Sequence, residues 1–256
     1  MDEYNVWPKN EIFSETLVPL DVPVFVRLDG WNFRKLSEAV DAEKPFDERF
    51  AKCLAYSGEA LFKAGFNPAL IYIASDELNI LFTSPAPFRG RVEKIDSVIP
   101  SLVSSAFASC LNKLFNRSVV AAFDSRIVLV LDDKELVGYL VWRQVNAWRN
   151  HNNAYAYWVF RKMGYKPSEI AKRLRGIKAE EIHETLFKSG VNLAQTPLWQ
   201  RRGILLYKKP SLKEAAGEKV TRWRIMEEWN LPLFSSDEGA KLIQQILEWV
   251  RQKRRG

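Results

Sequence analysis

An α+β fold is what this chain predicts: antiparallel strand pairs in one sheet, helices on one face, and extra helices in the second half. Two observations carry that prediction. Short apolar runs occur in neighbouring pairs separated by a few polar residues, the mark of hairpin connections. Between and after them lie stretches whose apolar residues recur at helical spacing.

The elements follow in order. "VPVFVRLDG" (Val22 to Gly30) reads as a buried strand that stops at Asp29-Gly30. A helix runs from about Asp47 to Lys63, with Ala51, Leu54, Ala55, Leu61 and Phe62 on one face. Asn67-Pro68 is a loop. "LIYIA" and "LNILF" then flank Ser75-Asp76-Glu77 as a hairpin, and Ser84 to Pro87 ends the unit. Arg91 to Phe115 is helical in pattern, with Pro100 starting a new segment or kinking it. "SVVAAF" and "RIVLVL" read as strands bracketing a turn at Asp124-Ser125. Asp132 or Asp133 caps a long helix towards Met163, with Gly164 as its stop. Helical stretches at Pro167 to Leu174 and Ala179 to Phe187 precede a late strand, Gly203 to Lys209. Pro210 to Lys219 reads as a polar loop, and "TRWRIMEEW" as strand or helix. Asp237 to Val250 is a helix striped by Leu242, Ile243, Ile246, Leu247 and Val250.

Bulk properties narrow the function. The chain has 256 residues, 47% hydrophobic and 27% charged, ordinary for a folded soluble protein. No apolar run is read as long enough to cross a bilayer, so no membrane partner is expected. The start, "MDEYNVWPKN", lacks the basic-then-apolar order of a signal peptide, so the expected location is cytoplasmic. The two cysteines, Cys53 and Cys110, lie in apolar helical stretches and are expected as reduced thiols. With two histidines as well, far apart, a zinc site is disfavoured; metal chemistry would use oxygen ligands, which favours magnesium. Lys plus Arg total 38 against 31 for Asp plus Glu, a net +7 that attracts polyanions.

One stretch stands out: "IYIASDELNILF" (Ile71 to Phe82). Adjacent carboxylates are costly among residues that want burial. Either Ser75-Asp76-Glu77 is a solvated turn or a cation neutralises it. Asp29 ends another strand. If the strands are neighbours, Asp29 and Asp76 meet at one edge of the sheet, as two divalent ions holding a nucleoside triphosphate require. Gly30, without a side chain, leaves its backbone open to a phosphate or metal. Lys44, Arg91, Lys94 and Arg126 lie near these positions in sequence and suit phosphate contacts; as surface charges they are equally ordinary.

"VRLDGWNF", "KPFDERF", "SDELN", "FDSR" and "YLVWRQ" occur in this order, extended by "GVN" and "PLWQRRGILLY". Together they resemble the tRNA-His guanylyltransferase family, the 3′-to-5′ nucleotide polymerases, over roughly Val22 to Lys209. The resemblance implies a palm-like catalytic core at 1–135 and an extension at 136–256 that completes it and contacts tRNA. It implies two magnesium ions on Asp29, Asp76 and the Gly30 backbone. A triphosphate would rest on Asp29, Gly30, Trp31, Asn32, Phe33 and Arg34 and on Ser75-Asp76. Lys44, Ser75, Arg91, Lys94 and Arg126 would contact its phosphates, Asp47 would read a guanine, and Glu77 matches an acid beside the metal aspartate. ATP would activate a tRNA 5′ monophosphate, and the 3′ hydroxyl of a further nucleotide, typically GTP, would attack it. The family also implies a homotetramer built from dimers.

One motif departs. Where the eukaryotic branch carries His-Ile-Asn-Asn-Leu-Tyr-Asn, this chain reads "WRNHNNA" (Trp148 to Ala154). That form is similar to the archaeal and bacterial branch, which adds nucleotides opposite a template and can repair truncated 5′ ends. Two other readings stand beside it: a palm-type nucleotidyl cyclase acting on free GTP or ATP, and a binding protein that keeps the palm without chemistry. The basic residues of "KVTRWR" and "RQKRRG" suit an RNA backbone or a solvated helix end.

Overall fold

The structure is a computed structural model, and it describes residues 10–83, 85–215 and 218–255. The start read for a signal peptide, up to residue 9, lies outside the described residues, as do Ser84 and Gly256. Among the described residues six antiparallel strands form one sheet in the order β4-β1-β3-β2-β5-β6. They are β1 (Val24–Gly30), β2 (Leu70–Ala74), β3 (Glu77–Phe82), β4 (Phe123–Leu129), β5 (Ile204–Ala215) and β6 (Glu218–Glu228). The helices are α1 (Phe33–Ala39), α2 (Glu48–Lys63), α3 (Val92–Phe115), α4 (Asp133–Lys162), α5 (Pro167–Leu174), α6 (Ala179–Lys188), α7 (Leu198–Arg202) and α8 (Asp237–Arg255).

Strand alternation sorts the core into two layers. Val24, Val26 and Leu28 of β1, with Leu78 and Ile80 of β3, face α2 and α3. Phe25, Leu70, Tyr72 and Leu81 face the other way, against Leu136 and Leu140 of α4 and Ile243 and Ile246 of α8. Helices therefore cover both faces, not one as expected. The alternation of β1 and β3 carries apolar residues at successive positions, and a strand buried on both sides needs a partner on each. A third cluster joins α4 to α5 and α6 through Ala156, Phe160, Ile170, Ile182 and Leu186.

Four local expectations change. Asp124 and Ser125 are not a turn; they lie within β4, and residues 118–122 are not strand. β4 is an edge strand, where outward charges are tolerated and guard against stray pairing. α3 runs unbroken through Pro100, because Ile95, Ile99, Val103, Phe107 and Leu111 on one face are fully buried. That helix is also long and apolar enough to cross a bilayer by length and composition, with a mean hydropathy of 1.3, although it lies against α2 and β4 here. Of the loop expected at Pro210 to Lys219, all but residues 216–217, which lie outside the described residues, belongs to the β5–β6 hairpin. Pro210 fits because beyond Tyr207 β5 pairs with β6 alone, leaving one side of the strand without a partner. "TRWRIMEE" is strand.

The cysteines also differ. Cys53 of α2 and Cys110 of α3 are joined as a disulfide, with Cα atoms 5.3 Å apart. Facing positions on two packed helices bring the thiols into bonding range, which sequence separation hides.

Candidate active site

β1 ends at Asp29-Gly30, one strand away from the two-residue turn Ser75-Asp76 that joins β2 to β3. The Gly30 N–H donates to the Asp76 carbonyl oxygen at 3.1 Å, locking the strand end to the turn. Ser75 takes a left-handed conformation, φ 57°, which makes the turn tight. Asp76 is held beside Asp29 closely enough for charge to matter. Burial, then the Asp29 carboxylate, push the Asp76 carboxyl up to about 6. The Ser75 hydroxyl bonds to Asp76 and opposes that shift. Two carboxylates are thus pressed together at this turn, where a cation would relieve them.

Gly30 has no room for a side chain. A Cβ there would lie 2.4 Å from the Phe33 ring. Asn32 is left-handed at φ 61° and turns the chain into α1, a helix the sequence reading missed because its seven residues carry little periodicity. α1 brings Arg34 and Ser37 to the rim of a cleft of about 260 Å³. Phe33, Arg34, Lys44, Asp47, Ser75 and Asp76 all line it. Arg34 bonds to the Tyr157 hydroxyl and pairs with Glu38 at 3.4 Å. The Lys44 ammonium bonds to Ser37 and lies 5.9 Å from the Trp158 ring centre; burial lowers its pKa.

Asp47 caps α2. Its carboxylate accepts from the N–H groups of Glu43 and Arg49 at 2.8 Å and from the Arg49 guanidinium. Burial pushes that carboxyl up, but the hydrogen bonds outweigh it and leave it below the usual range. Asp47 thus lines the cleft with its oxygens already engaged.

Glu77 stands apart from the cleft. It is 7% exposed, and both its oxygens are taken by Arg143 of α4, with Asn79 donating at 2.7 Å. Tyr139 donates in turn to Asn79 at 2.6 Å. The other predicted residues, Asp29, Gly30 and Asn32 included, lie outside the cleft lining as well. Trp31 is 68% exposed, Arg91 precedes α3 as its N-cap, and Lys94 is in its first turn. Arg126, on β4, pairs with Asp124 at 3.4 Å.

The sequence reading missed several neighbours. Asp124 lies directly across from Asp29 in the β1–β4 register, and Glu77 directly across on the other side. Arg27, two residues before Asp29 and on the same face, has a buried Nε without a hydrogen-bond partner among the described residues. Asn150 and Ala154 of α4 and Trp199 and Gln200 of α7 complete the cleft wall. The signal for these last four was present in "WRNHNNA" and "PLWQ", but those motifs named no role.

The donor set fits a magnesium ion. Two neighbouring carboxylates supply hard oxygen atoms, and no third acidic, histidine or cysteine side chain converges with them among the described residues. Positions left over suit phosphate oxygens and water, as magnesium prefers.

The single antiparallel sheet with helices on both faces and paired carboxylates at a strand end defines the class: an α+β protein with a palm-like sheet. Comparison with known proteins is specific. The family model described as "tRNAHis guanylyltransferase" matches residues 6–131, and the one described as "Thg1 C terminal domain" matches residues 134–245. The chain belongs to the tRNA-His guanylyltransferase family, a family of nucleotidyltransferases. A probable tRNA(His) guanylyltransferase of Drosophila melanogaster is 30% identical over 213 residues, 81% of this chain and 74% of that one. The tRNA(His) guanylyltransferase of Candida glabrata is 30% identical over 204 residues, 76% of this chain and 86% of that one. In fold, the chain is similar to a bacterial tRNA(His) guanylyltransferase-like protein solved with ATP: TM-score 0.75, 24% identity, 94% of this chain and 97% of that one. The form solved with GTP gives 0.73 at 23% identity, covering 96% of this chain and 99% of that one.

Proposed function

We propose that this protein adds nucleotides to tRNA 5′ ends in the 3′-to-5′ direction, opposite a template, with ATP and GTP as substrates. The observation that carries the reading is Asp76, which lines the cleft with Lys44 and Arg34 and has the Asp29 carboxylate beside it, in a chain of this family. Its relatives are named for guanylyl transfer to tRNA(His), and its structural neighbours were solved with ATP and GTP. No observation favours the cyclase or the inactive binding protein.

Asp29, Asp76 and the Gly30 carbonyl would hold the magnesium ions. When bound, those ions would acidify the attacking hydroxyl and offset charge on the leaving pyrophosphate. The chain's own groups do the rest. Lys44 and Arg34 place positive charge along the triphosphate, and Arg27 offers its unspent donor close to Asp29. Burial strengthens the contacts of Lys44 and Arg27 by excluding water, while the Arg34 side chain stays largely exposed to solvent. The first transfer joins AMP to the 5′ phosphate of the RNA and releases pyrophosphate. In the second, the 3′ hydroxyl of the incoming nucleotide attacks that activated phosphate and AMP leaves. Arg91, Lys94 and Arg126 belong to the reading as contacts for a second triphosphate, outside the first cleft. Glu77 acts through Arg143 as a support for the turn. The broken asparagine motif favours templated repair over a single guanosine addition. RNA binding by the +7 chain and a homotetramer complete the proposal.

The test offers tRNAs lacking their first nucleotide, with 5′ mono- or triphosphate, and each labelled nucleoside triphosphate in turn. Incorporation should follow the partner base on the 3′ strand. Guanosine addition to intact tRNA-His alone would replace templated repair with the narrower activity, and turnover of free GTP without RNA would overturn both.

A further inference from the structure

A second cavity, of about 370 Å³, lies beside the first. Its wall is Val141, Val145 and Trp148 of α4, and Leu233 opposite, with Arg201 and Arg202 at its side. Both α4 and α7 serve both cavities. Trp199 and Gln200 line the cleft with Asp76, and the next two residues, Arg201 and Arg202, line the second groove. On α4, Asn150 faces the cleft and Trp148 the groove.

The groove is apolar, aromatic and cationic at once. Trp148 is 38% exposed, Val145 42% and Leu233 47%. No acidic residue lines the groove, and among the described residues neither arginine forms an ion pair. Among the described residues the buried Arg201 Nε has no hydrogen-bond partner. Arg202 is fixed by its Nη1, which donates to the Leu231 carbonyl at 2.9 Å. The floor is rigid, since the Gln144 side chain bonds to the Arg202 and Pro232 carbonyls and accepts from the Phe234 N–H.

Resting on the nucleotide-addition reading, we infer that this groove holds an unpaired nucleotide of the RNA, on the strand beside the reacting end. Its base stacks on Trp148, and its phosphate takes the two guanidinium groups. Inside a duplex both faces of every base are covered by stacked neighbours, so an indole enclosed in a concave groove favours an unpaired base. A second copy of this chain suits the groove less well. A two-fold contact would set the same uncompensated arginines against each other.

The test uses the full chain and two fluorescent hairpin RNAs with 5′ phosphates, one blunt and one with a short 3′ overhang. Anisotropy gives each Kd, calorimetry the Kd for ATP, and light scattering the mass of the assembly. Arg201→Gln and Trp148→Ala should each weaken overhang binding roughly ten-fold or more, leaving the blunt hairpin and ATP unchanged. Arg201→Gln should also lower the salt dependence by about one ion. Trp148→Phe should restore most of the affinity. Equal weakening for both hairpins, or no change for either, overturns the inference, as does a loss of assembly mass with unchanged RNA affinity, which would make the groove a contact between copies. ATP binding retained by Arg201→Gln shows that the chain is folded. Nucleotide addition without overhang selectivity would sink this inference alone; overhang selectivity without nucleotide addition would sink the proposed function alone.

Discussion

The Gly30 N–H donates to the Asp76 carbonyl at 3.1 Å, so the end of β1 and the β2–β3 turn move as one piece. Through this bond the carboxylates of Asp29 and Asp76 are held together despite their mutual repulsion. Residue 30 tolerates no side chain for a separate reason, the closeness of the Phe33 ring. Gly30→Ala forces its Cβ onto Phe33, whose ring lies 5.2 Å from that of Phe107 in the core. The expected result is a loss of about 1–3 kcal/mol in urea unfolding, together with a fall in activity larger than the fraction unfolded explains.

The Glu77–Arg143 pair is buried on both sides, with side chains 9% and 13% exposed. Breaking it from the cation side leaves a carboxylate uncompensated beneath Tyr72 and Tyr139, whose own hydroxyls are pushed up by burial and by the Glu77 charge. Arg143→Met should therefore destabilise by about 3–5 kcal/mol, and adding Glu77→Gln to it should recover part of the loss. Chemical denaturation of both single variants and the double variant measures this. An additive double variant would show the pair to be uncoupled.

His151 is fully buried between Asn152 at 3.1 Å and Thr196 at 2.9 Å. Burial lowers its pKa from 6.5 to about 4. Between those values the unfolded chain binds more protons than the folded one. Stability is thus complete above about pH 6.5 and declines as pH falls towards 4, by about 3 kcal/mol from this group. Asp76 acts oppositely, since its raised pKa favours the folded state as pH falls through about 6. The difference between wild type and His151→Gln isolates the histidine, and that difference should shrink as pH drops from 7 to 5.

The Cys53–Cys110 bond closes a loop with a sequence separation of 57. Alkylation without reductant should leave the intact mass unchanged, and both thiols should react once the bond is reduced and the chain unfolded. A Cys53→Ala/Cys110→Ala chain should lose about 2–4 kcal/mol with its cleft intact.

Much of this site was legible because its residues sit at strand ends. An apolar run that breaks at Asp29-Gly30, and another that breaks at Ser75-Asp76, announce where carboxylates leave the core. Register was not legible. Nothing local says that Asp29 faces Glu77 on one side and Asp124 on the other, or that Asp124 belongs to a strand at all. Glu77 shows the limit most clearly: adjacent to Asp76 in sequence, it opens β3 and gives both its oxygens to Arg143 of α4, a partner far away in the chain. The helices on the second face were hidden for a related reason. Whether one face or two is covered depends on which distant segments return to the sheet, and α4 and α8 are far from β1 in sequence.

The most direct test is ATP binding by calorimetry, with magnesium and with the metal chelated, on wild type, Asp29→Asn and Asp76→Asn, beside single-turnover AMP transfer to a 5′-phosphorylated tRNA. If Asp29 and Asp76 hold the metal ions beneath the triphosphate, each variant should bind ATP equally well with and without magnesium, and transfer should fall by on the order of 10³-fold or more. Folded variants that keep magnesium-dependent ATP binding and near-normal transfer would contradict it.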